Sequence, residues 1–232
     1  MKMKSESARR PLLELYQIAD QDENRHRFKK ACSPSSLSTL ENILEYVEGH
    51  EDDEVFIRST IRALAKTRMY ELATATIRNG HDGVPMYNEK NFLFAHSPEL
   101  YIANLDVNIQ LEEIELDYAK DVILPWPWAI NELHSAHLGK LHQSSTRDLR
   151  RSVTYYSELE IGFVFSEVGD HAAGIICEKG TFKADKGSLS KVFELYCREG
   201  EYLIVDEKKY KINDFVLIAI FELSKMLYDN KK

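Results

Sequence analysis

Apolar residues recur with a helical period through the first third of the chain. The spacing predicts a helix over residues 11–19 and a second helix that begins near Leu37, with Gly49 as its C-terminal cap. Ser38 and Glu41 have the spacing of a capping box, which favours a helix start close to Ser38. This part of the chain is therefore predicted to be helical from its hydrophobic pattern alone.

A third helix is the longest element that the pattern predicts, and it ends at Asn79-Gly80. The four carboxylates of residues 51–54 precede it and complement the positive end of its dipole. Its apolar face consists of Ile57, Ile61, Leu64, Ala65, Met69, Leu72, Ala73 and Ile77. A face of this length has to be buried against another part of the protein.

The rest of the chain alternates short extended and short helical patterns. Strands are predicted at residues 109–116, 152–156 and 159–165. Helices are predicted at residues 130–142 and 172–177. Further short strands or helical turns are predicted at residues 180–184, 193–197 and 202–205. Asp214 is placed to cap a final helix that ends at Tyr228.

This order of elements predicts an α+β protein. We expect a helical N-terminal region at residues 1–82, packed on a small mixed β-sheet domain at residues 83–232. The composition agrees with a globular protein, because 44% of the residues are hydrophobic and 29% are charged.

Charge and cysteine content argue against some classes of protein. The net charge of −8 and the isoelectric point of about 5.6 oppose non-specific nucleic-acid binding, which needs a basic surface. No apolar run has the length of a signal peptide or a membrane span, and the three cysteines lack CxxC spacing. We therefore expect a cytoplasmic protein that does not bind membranes.

Both tryptophans of the chain lie in the segment Pro125-Trp126-Pro127-Trp128, which follows the apolar run at residues 122–124. The prolines impose an extended backbone, so the two rings are held rigidly. Trp126 and Trp128 could stack on a ligand such as a base, or they could fill a core beside the next helix. Packing is the commoner use of tryptophan and is the favoured interpretation.

The turn Gly169-Asp170-His171 is a second candidate for ligand binding. It follows a predicted strand and precedes a predicted helix, whose free amides could hold an anion. Gly169 lets a ligand approach the backbone, and His171 could donate a hydrogen bond or exchange a proton near neutral pH. The structural alternative is that Asp170 caps the helix and His171 bonds a buried carbonyl. The two interpretations have equal weight.

Other chemistry-bearing patterns are sparse. Arg150 and Arg151 belong to a small basic cluster that either solvates a connection or binds an anion. His134 and His137 share a face of a predicted helix, but no cysteine or HExxH pattern accompanies them. There is no Walker loop, GxSxG motif or dinucleotide fingerprint. No metal, no cofactor and no catalytic residue are therefore predicted.

Two stretches resemble motifs of an uncharacterised bacterial family. Leu124-Pro-Trp-Pro-Trp128 is similar to the LPWPW motif of that family, and the stretch from Gly169 to Gly174 is similar to its Gly-Asn-His-Ser turn. The resemblance extends over roughly residues 109–205. The family has Asn-Arg after the tryptophans, whereas this chain has Ala129-Ile130.

The order of these parts also resembles, more distantly, the ParB and sulfiredoxin class of folds. That resemblance implies that Gly169 and His171 line the phosphate site of a nucleotide. The ParB-type turn has an arginine after the histidine, where this chain has Ala172, and Asp170 stands where the related turn has asparagine. The lost positive charge and the gained carboxylate both oppose phosphate binding.

Two functions remain open from the sequence. The first is a non-catalytic ligand- or partner-binding, regulatory protein. Its candidate site residues are Trp126, Trp128, Arg150, Arg151, Gly169, Asp170 and His171. The second is a nucleotide-dependent enzyme with a phosphate site at the Gly169-Asp170-His171 turn. The partner is accordingly a nucleotide or another protein, and the absence of catalytic signatures favours the first function.

Overall fold

The computed structural model describes residues 35–79, 112–125, 136–138, 140–141, 153–164, 170–205, 208–212 and 214–232. The protein is α+β, as predicted: helices pack against a mixed five-stranded sheet, and a second sheet has three strands. In these ranges no helix combines the length and the apolar character that a membrane crossing requires.

Helix α1 spans Leu37–Val47 and starts one residue before Ser38. Ser36 is the N-cap, since its hydroxyl accepts the Thr39 amide at 3.4 Å. The Thr39 hydroxyl oxygen accepts the Ser36 amide in return, at 3.2 Å. Because these two residues close the capping box, the pair predicted for this role, Ser38 and Glu41, is wrong.

Helix α2 spans Glu54–Asn79 and ends where the sequence predicts. In the turn before it, Gly49 has a φ of +80°, in the left-handed region that favours glycine, which confirms its position just beyond α1. Asp53 accepts the Phe56 amide at 3.0 Å, so a carboxylate does lie at the positive helix end. The apolar face predicted for this helix is one turn too long, because Ile77 is exposed. Its buried members are Ile57, Ile61, Ala65, Met69, Leu72 and Ala73.

The main sheet has the strand order β1-β5-β3-β4-β2. Its strands are β1 Glu113–Asp117, β2 Val122–Leu124, β3 Val153–Tyr156, β4 Ile161–Val164 and β5 Thr181–Gly187. β2 runs parallel to β4, and β3 runs parallel to β5. β1 and β5 are antiparallel, as are β3 and β4. β3 and β4 lie inside the predicted strand ranges, and β1 ends at Asp117, one residue beyond its predicted range. The first three residues of that range, 109–111, lie outside the described residues.

The remaining short elements follow β4 along the chain. They are α3 Asp170–Cys177, α4 Ser190–Leu195, β6 Tyr196–Glu199, β7 Tyr202–Val205 and β8 Lys208–Lys211. β6, β7 and β8 form the second sheet, with antiparallel pairing throughout. The sequence did not predict β8, because Lys-Lys-Tyr-Lys has no apolar alternation, and pairing with β7 makes it a strand.

Helix α5 spans Phe215–Asp229 and is capped by Asp214, as predicted. The Asp214 Oδ1 atom accepts the amides of Val216 and Leu217, each at 3.1 Å. Arg68 of α2 donates to the same oxygen from Nη2 at 2.7 Å, and both side chains are only 2% exposed. This buried ion pair joins α2 to the start of α5.

The helices and the main sheet share one hydrophobic core. α2 packs on α3, α5 and β2, and α1 packs on α5. The buried cluster includes Leu40 and Met69 from the predicted helical region, together with Phe163 and Phe221 from the predicted sheet domain. The predicted boundary near residue 82 lies outside the described residues and stays a prediction.

Candidate functional site

Three strand ends of the main sheet meet at one edge. β2 and β4 are parallel neighbours, with Leu124 opposite Phe163, so their carboxyl ends lie on the same side of the sheet. β3 is antiparallel to β4 and begins with Val153 opposite Val164, so its amino end lies there too. We call this the β2–β3–β4 edge, defined by Leu124, Val153 and Val164. In open α/β sheets, ligands bind beyond the carboxyl ends of parallel strands.

The chain enters and leaves this edge through the segments that contain the predicted site residues. Pro125 follows β2 directly and is buried. Each of six predicted residues is at most six positions along the chain from one of the three strand ends: Trp126, Trp128, Arg150, Arg151, Gly169 and Asp170. Of these, only the backbone of Asp170 is described, and the other five residues lie outside the described ranges.

Helix α3 begins at Asp170, two residues before the predicted start, and its second residue points into the core. His171 is 1% exposed, and its Nδ1 lies 2.9 Å from the Tyr118 hydroxyl. Its ring packs edge-on against Phe182, with 4.9 Å between the centroids. Burial, and to a smaller extent the positive charge of Lys140, lowers the pKa of His171 to about 3. The imidazole is therefore uncharged at physiological pH.

Tyr118 lies in the turn between β1 and β2 and joins α3 to the sheet. A Cβ atom on Gly174 would lie 2.6 Å from its buried ring, closer than side chains tolerate, so glycine permits α3 to pack at this distance. The Lys140 Nζ lies 5.3 Å from the centroid of the same ring. Sequence reasoning missed Tyr118 and Gly174. Gly174 could have been found from the sequence, because a glycine inside a predicted helix often indicates close packing against a neighbour.

At the start of α3, the groups available to bind a ligand are backbone amides. The first amides of a helix have no partner within the helix, and together with the helix dipole they favour an anion. In the described part of the chain, no group of three or more His, Cys, Asp and Glu side chains is placed to hold a metal ion. His137 is half-buried in the helical residues 136–138, and His134 lies outside the described ranges.

Comparison with known proteins identifies a family that matches this chain but gives no activity. The sequence model of a family of unknown function (DUF6710) matches residues 17–232, which include both sheets and all the labelled helices. Neither the curated proteins nor the solved structures contain a match to the chain.

Proposed function

Since the chain belongs to DUF6710, a family of unknown function, we propose from its fold that it is a non-catalytic ligand- or partner-binding protein. Its site is the β2–β3–β4 edge together with the start of α3. The candidate residues are among those that the sequence selects: Trp126, Trp128, Arg150, Arg151, Gly169 and Asp170. In this proposal His171, which the sequence also selects, supports the start of α3 from the core through Tyr118.

The observation that carries the proposal is the pairing of β4 with parallel β2 on one side and antiparallel β3 on the other. Trp126 is two positions after Leu124 in the sequence, and Arg151 is two positions before Val153. Neighbouring strands are about 4.8 Å apart. The tryptophan segment, the arginine pair and the Gly169-Asp170 turn, which the sequence selects for separate reasons, are thus each connected to a strand end at this edge.

The residue types at this edge fit a planar ligand with an anionic group. Tryptophan rings stack on planar groups, and an arginine guanidinium binds a carboxylate or phosphate through two hydrogen bonds. The amides at the start of α3 favour the same charge. A nucleotide has this chemistry, and so does a protein segment that presents aromatic and acidic side chains.

Two features support binding rather than catalysis. His171, to which the enzyme hypothesis gives a proton-transfer role, is buried, uncharged and bonded to the Tyr118 hydroxyl. Ala172, which stands where the ParB-type turn has an arginine, is buried, so a guanidinium at this position would have to enter the core. Kinship with the ParB and sulfiredoxin class remains part of the proposal.

Intrinsic tryptophan fluorescence tests the proposal directly, because both tryptophans of the chain lie in the segment after β2. The full-length protein is titrated with nucleotides, with and without Mg²⁺, and emission and melting temperature are recorded. A ligand at 100 times its dissociation constant adds about 2.7 kcal/mol of stability. We expect Trp128→Phe and Arg151→Gln to weaken binding, whereas Lys209→Gln, which removes the same charge from the second sheet, leaves it unchanged.

The outcomes separate the alternatives. Equal affinity in Arg151→Gln, Trp128→Phe and the unmodified protein would place the ligand elsewhere and refute the site. Conversion of many nucleotides per protein molecule, lost in Asp170→Asn, would establish the enzyme and refute the non-catalytic role. A response to a protein partner alone, lost in the same two variants, would support the site with a protein as its ligand.

A further inference from the structure

A groove of about 490 Å³ runs between α1 and α2, on the surface of the helical layer. Its α1 wall consists of Thr39, Asn42, Ile43 and Tyr46, and its α2 wall of Ser59, Thr60, Ala63 and Leu64. The Tyr46 side chain is 63% exposed, and Ile43 and Leu64 are only half-buried. We call this the α1–α2 groove; its volume is in the range of small-molecule and peptide side-chain pockets.

The hydroxyl groups on the α2 wall do not need a hydrogen-bond acceptor from a bound molecule. Ser59 and Thr60 both donate their hydroxyl protons to the Phe56 carbonyl, at 2.8 and 3.0 Å. Their hydrogen-bond donors are thus satisfied within α2, and they present carbon and oxygen lone pairs to the groove. The Tyr46 ring, which lines the groove, also packs on the Phe56 ring, with 5.5 Å between the centroids. The groove is therefore suited to apolar side chains, with Asn42 as an exposed polar residue on its α1 wall.

The chain is strongly acidic from the middle of α1 to the start of α2. Between Glu41 and Glu54 the chain has seven carboxylates and no lysine or arginine. Residues 1–30 have the opposite balance, with eight Lys and Arg against five Asp and Glu. The two stretches attract each other in water at low salt.

We propose that the α1–α2 groove is the docking site of the chain's own segment 11–19. Its helical pattern places Leu12, Leu15, Tyr16 and Ala19 on one face, directly after the basic pair at residues 9–10. This face is about 10 Å long at 1.5 Å per residue, and the α1 wall from Thr39 to Tyr46 has the same length.

The connection is long enough for the segment to reach the groove. Sixteen positions separate Ala19 from Ser35, which precedes α1, so the chain can span up to about 55 Å. The groove begins at Thr39, in the first turn of α1. Attachment to the same molecule raises the effective concentration of the segment to about the millimolar range, so even weak apolar contacts keep it bound.

Hydrogen–deuterium exchange of the full-length protein, read by mass spectrometry, tests the docking. We expect the amides of residues 11–19 to exchange at least about tenfold more slowly than in an isolated peptide. Leu15→Glu and Ala63→Glu should remove this protection from either side of the contact. Their matched controls add the same charge outside the contact: Gln17→Glu on the other face of the segment, and Val55→Glu on α2, where Val55 is 79% exposed.

Three results would overturn the proposal: no protection of residues 11–19, protection that Leu15→Glu leaves intact, or protection that depends on protein concentration. The last would mean that a second copy fills the groove. Leu15→Glu lies outside the described fold, so its result stands even if Ala63→Glu destabilises α2. The experiment uses no ligand of the β2–β3–β4 edge, so its failure and that of the proposed function are distinguishable.

Discussion

Arg68 and Asp214 form a buried ion pair at the start of α5, whereas Tyr118 and His171 form a buried uncharged pair at the start of α3. In both cases the partners are distant in sequence, by 146 residues in the ion pair and by 53 in the uncharged pair. The ion pair connects two helices of the helical layer. The uncharged pair connects the turn after β1 to α3.

The difference in charge decides how each pair responds to change. A buried charge that loses its counterion destabilises a protein by several kcal/mol, so the buried Asp214 carboxylate depends on Arg68, which also pairs with the more exposed Glu71. A buried imidazole avoids that penalty by staying neutral. His171 therefore needs a hydrogen-bond partner but no counterion, and its environment becomes sensitive to acid instead.

The largest expected effect comes from breaking the ion pair. Arg68→Met leaves the Asp214 carboxylate buried without its cation and should lower the free energy of unfolding by about 3–5 kcal/mol. Urea unfolding of the full chain at pH 7 measures it. In Arg68→Met with Asp214→Asn, the loss should be smaller than the sum of the single losses. Glu71→Gln, at the more exposed partner of Arg68, is the control.

Gly174→Ala tests how closely α3 packs on Tyr118. In a helix this change is normally stabilising by up to about 1 kcal/mol, but here the new Cβ would lie 2.6 Å from a buried ring. The overlap should reverse the sign and destabilise the protein by about 1–3 kcal/mol. Combination with Tyr118→Leu, which removes the ring, should recover part of the loss. A stabilised Gly174→Ala variant would contradict the packing.

The pH dependence of the free energy of unfolding tests the Tyr118–His171 pair without a mutation in the Arg68–Asp214 pair. The pKa of His171 falls from 6.5 in the unfolded chain to about 3 in the fold, so the unfolded chain binds the additional proton between these values. Stability from this group is complete above pH 6.5 and decreases as the pH falls, by up to about 1.4 kcal/mol per pH unit. His171→Leu should flatten the unfolding free energy between pH 6.5 and 5. Equal slopes in both proteins would refute the assignment.

The smallest effect should come from Tyr118→Phe, which removes one hydroxyl and keeps the ring. It takes away the hydrogen bond to His171 Nδ1 in the core and should lower stability by about 1–2 kcal/mol. Tyr118→Phe together with His171→Leu should be less destabilising than the two single changes added, because both changes remove the same hydrogen bond. Thermal and urea unfolding at pH 7.5, where His171 is neutral in both states, measure this.

Among the described residues, the sequence predicted most of the helices and strands but not the contacts that hold them together. The end of α2 at Asn79 and the Asp214 cap of α5 depend on neighbouring residues, so local patterns reveal them. β8 and the buried Arg68 depend on partners far along the chain, so they have no local signal. At the candidate site, a helix close to the observed start of α3 was recognisable from the small apolar residues after His171. That His171 faces inward was not.

What the sequence determined by itself is therefore local: the helical periods of α1 and α2, the Asp214 cap of α5, and the strand and the helix that lie on either side of residues 165–169. The tertiary structure decided the order of those strands, and with it the meeting of β2, β3 and β4 at one edge. It also decided which polar side chains are buried in pairs. The physical reason is range: periodicity and capping act over about four residues, whereas strand pairing and buried polar pairs join residues that only the folded chain brings together.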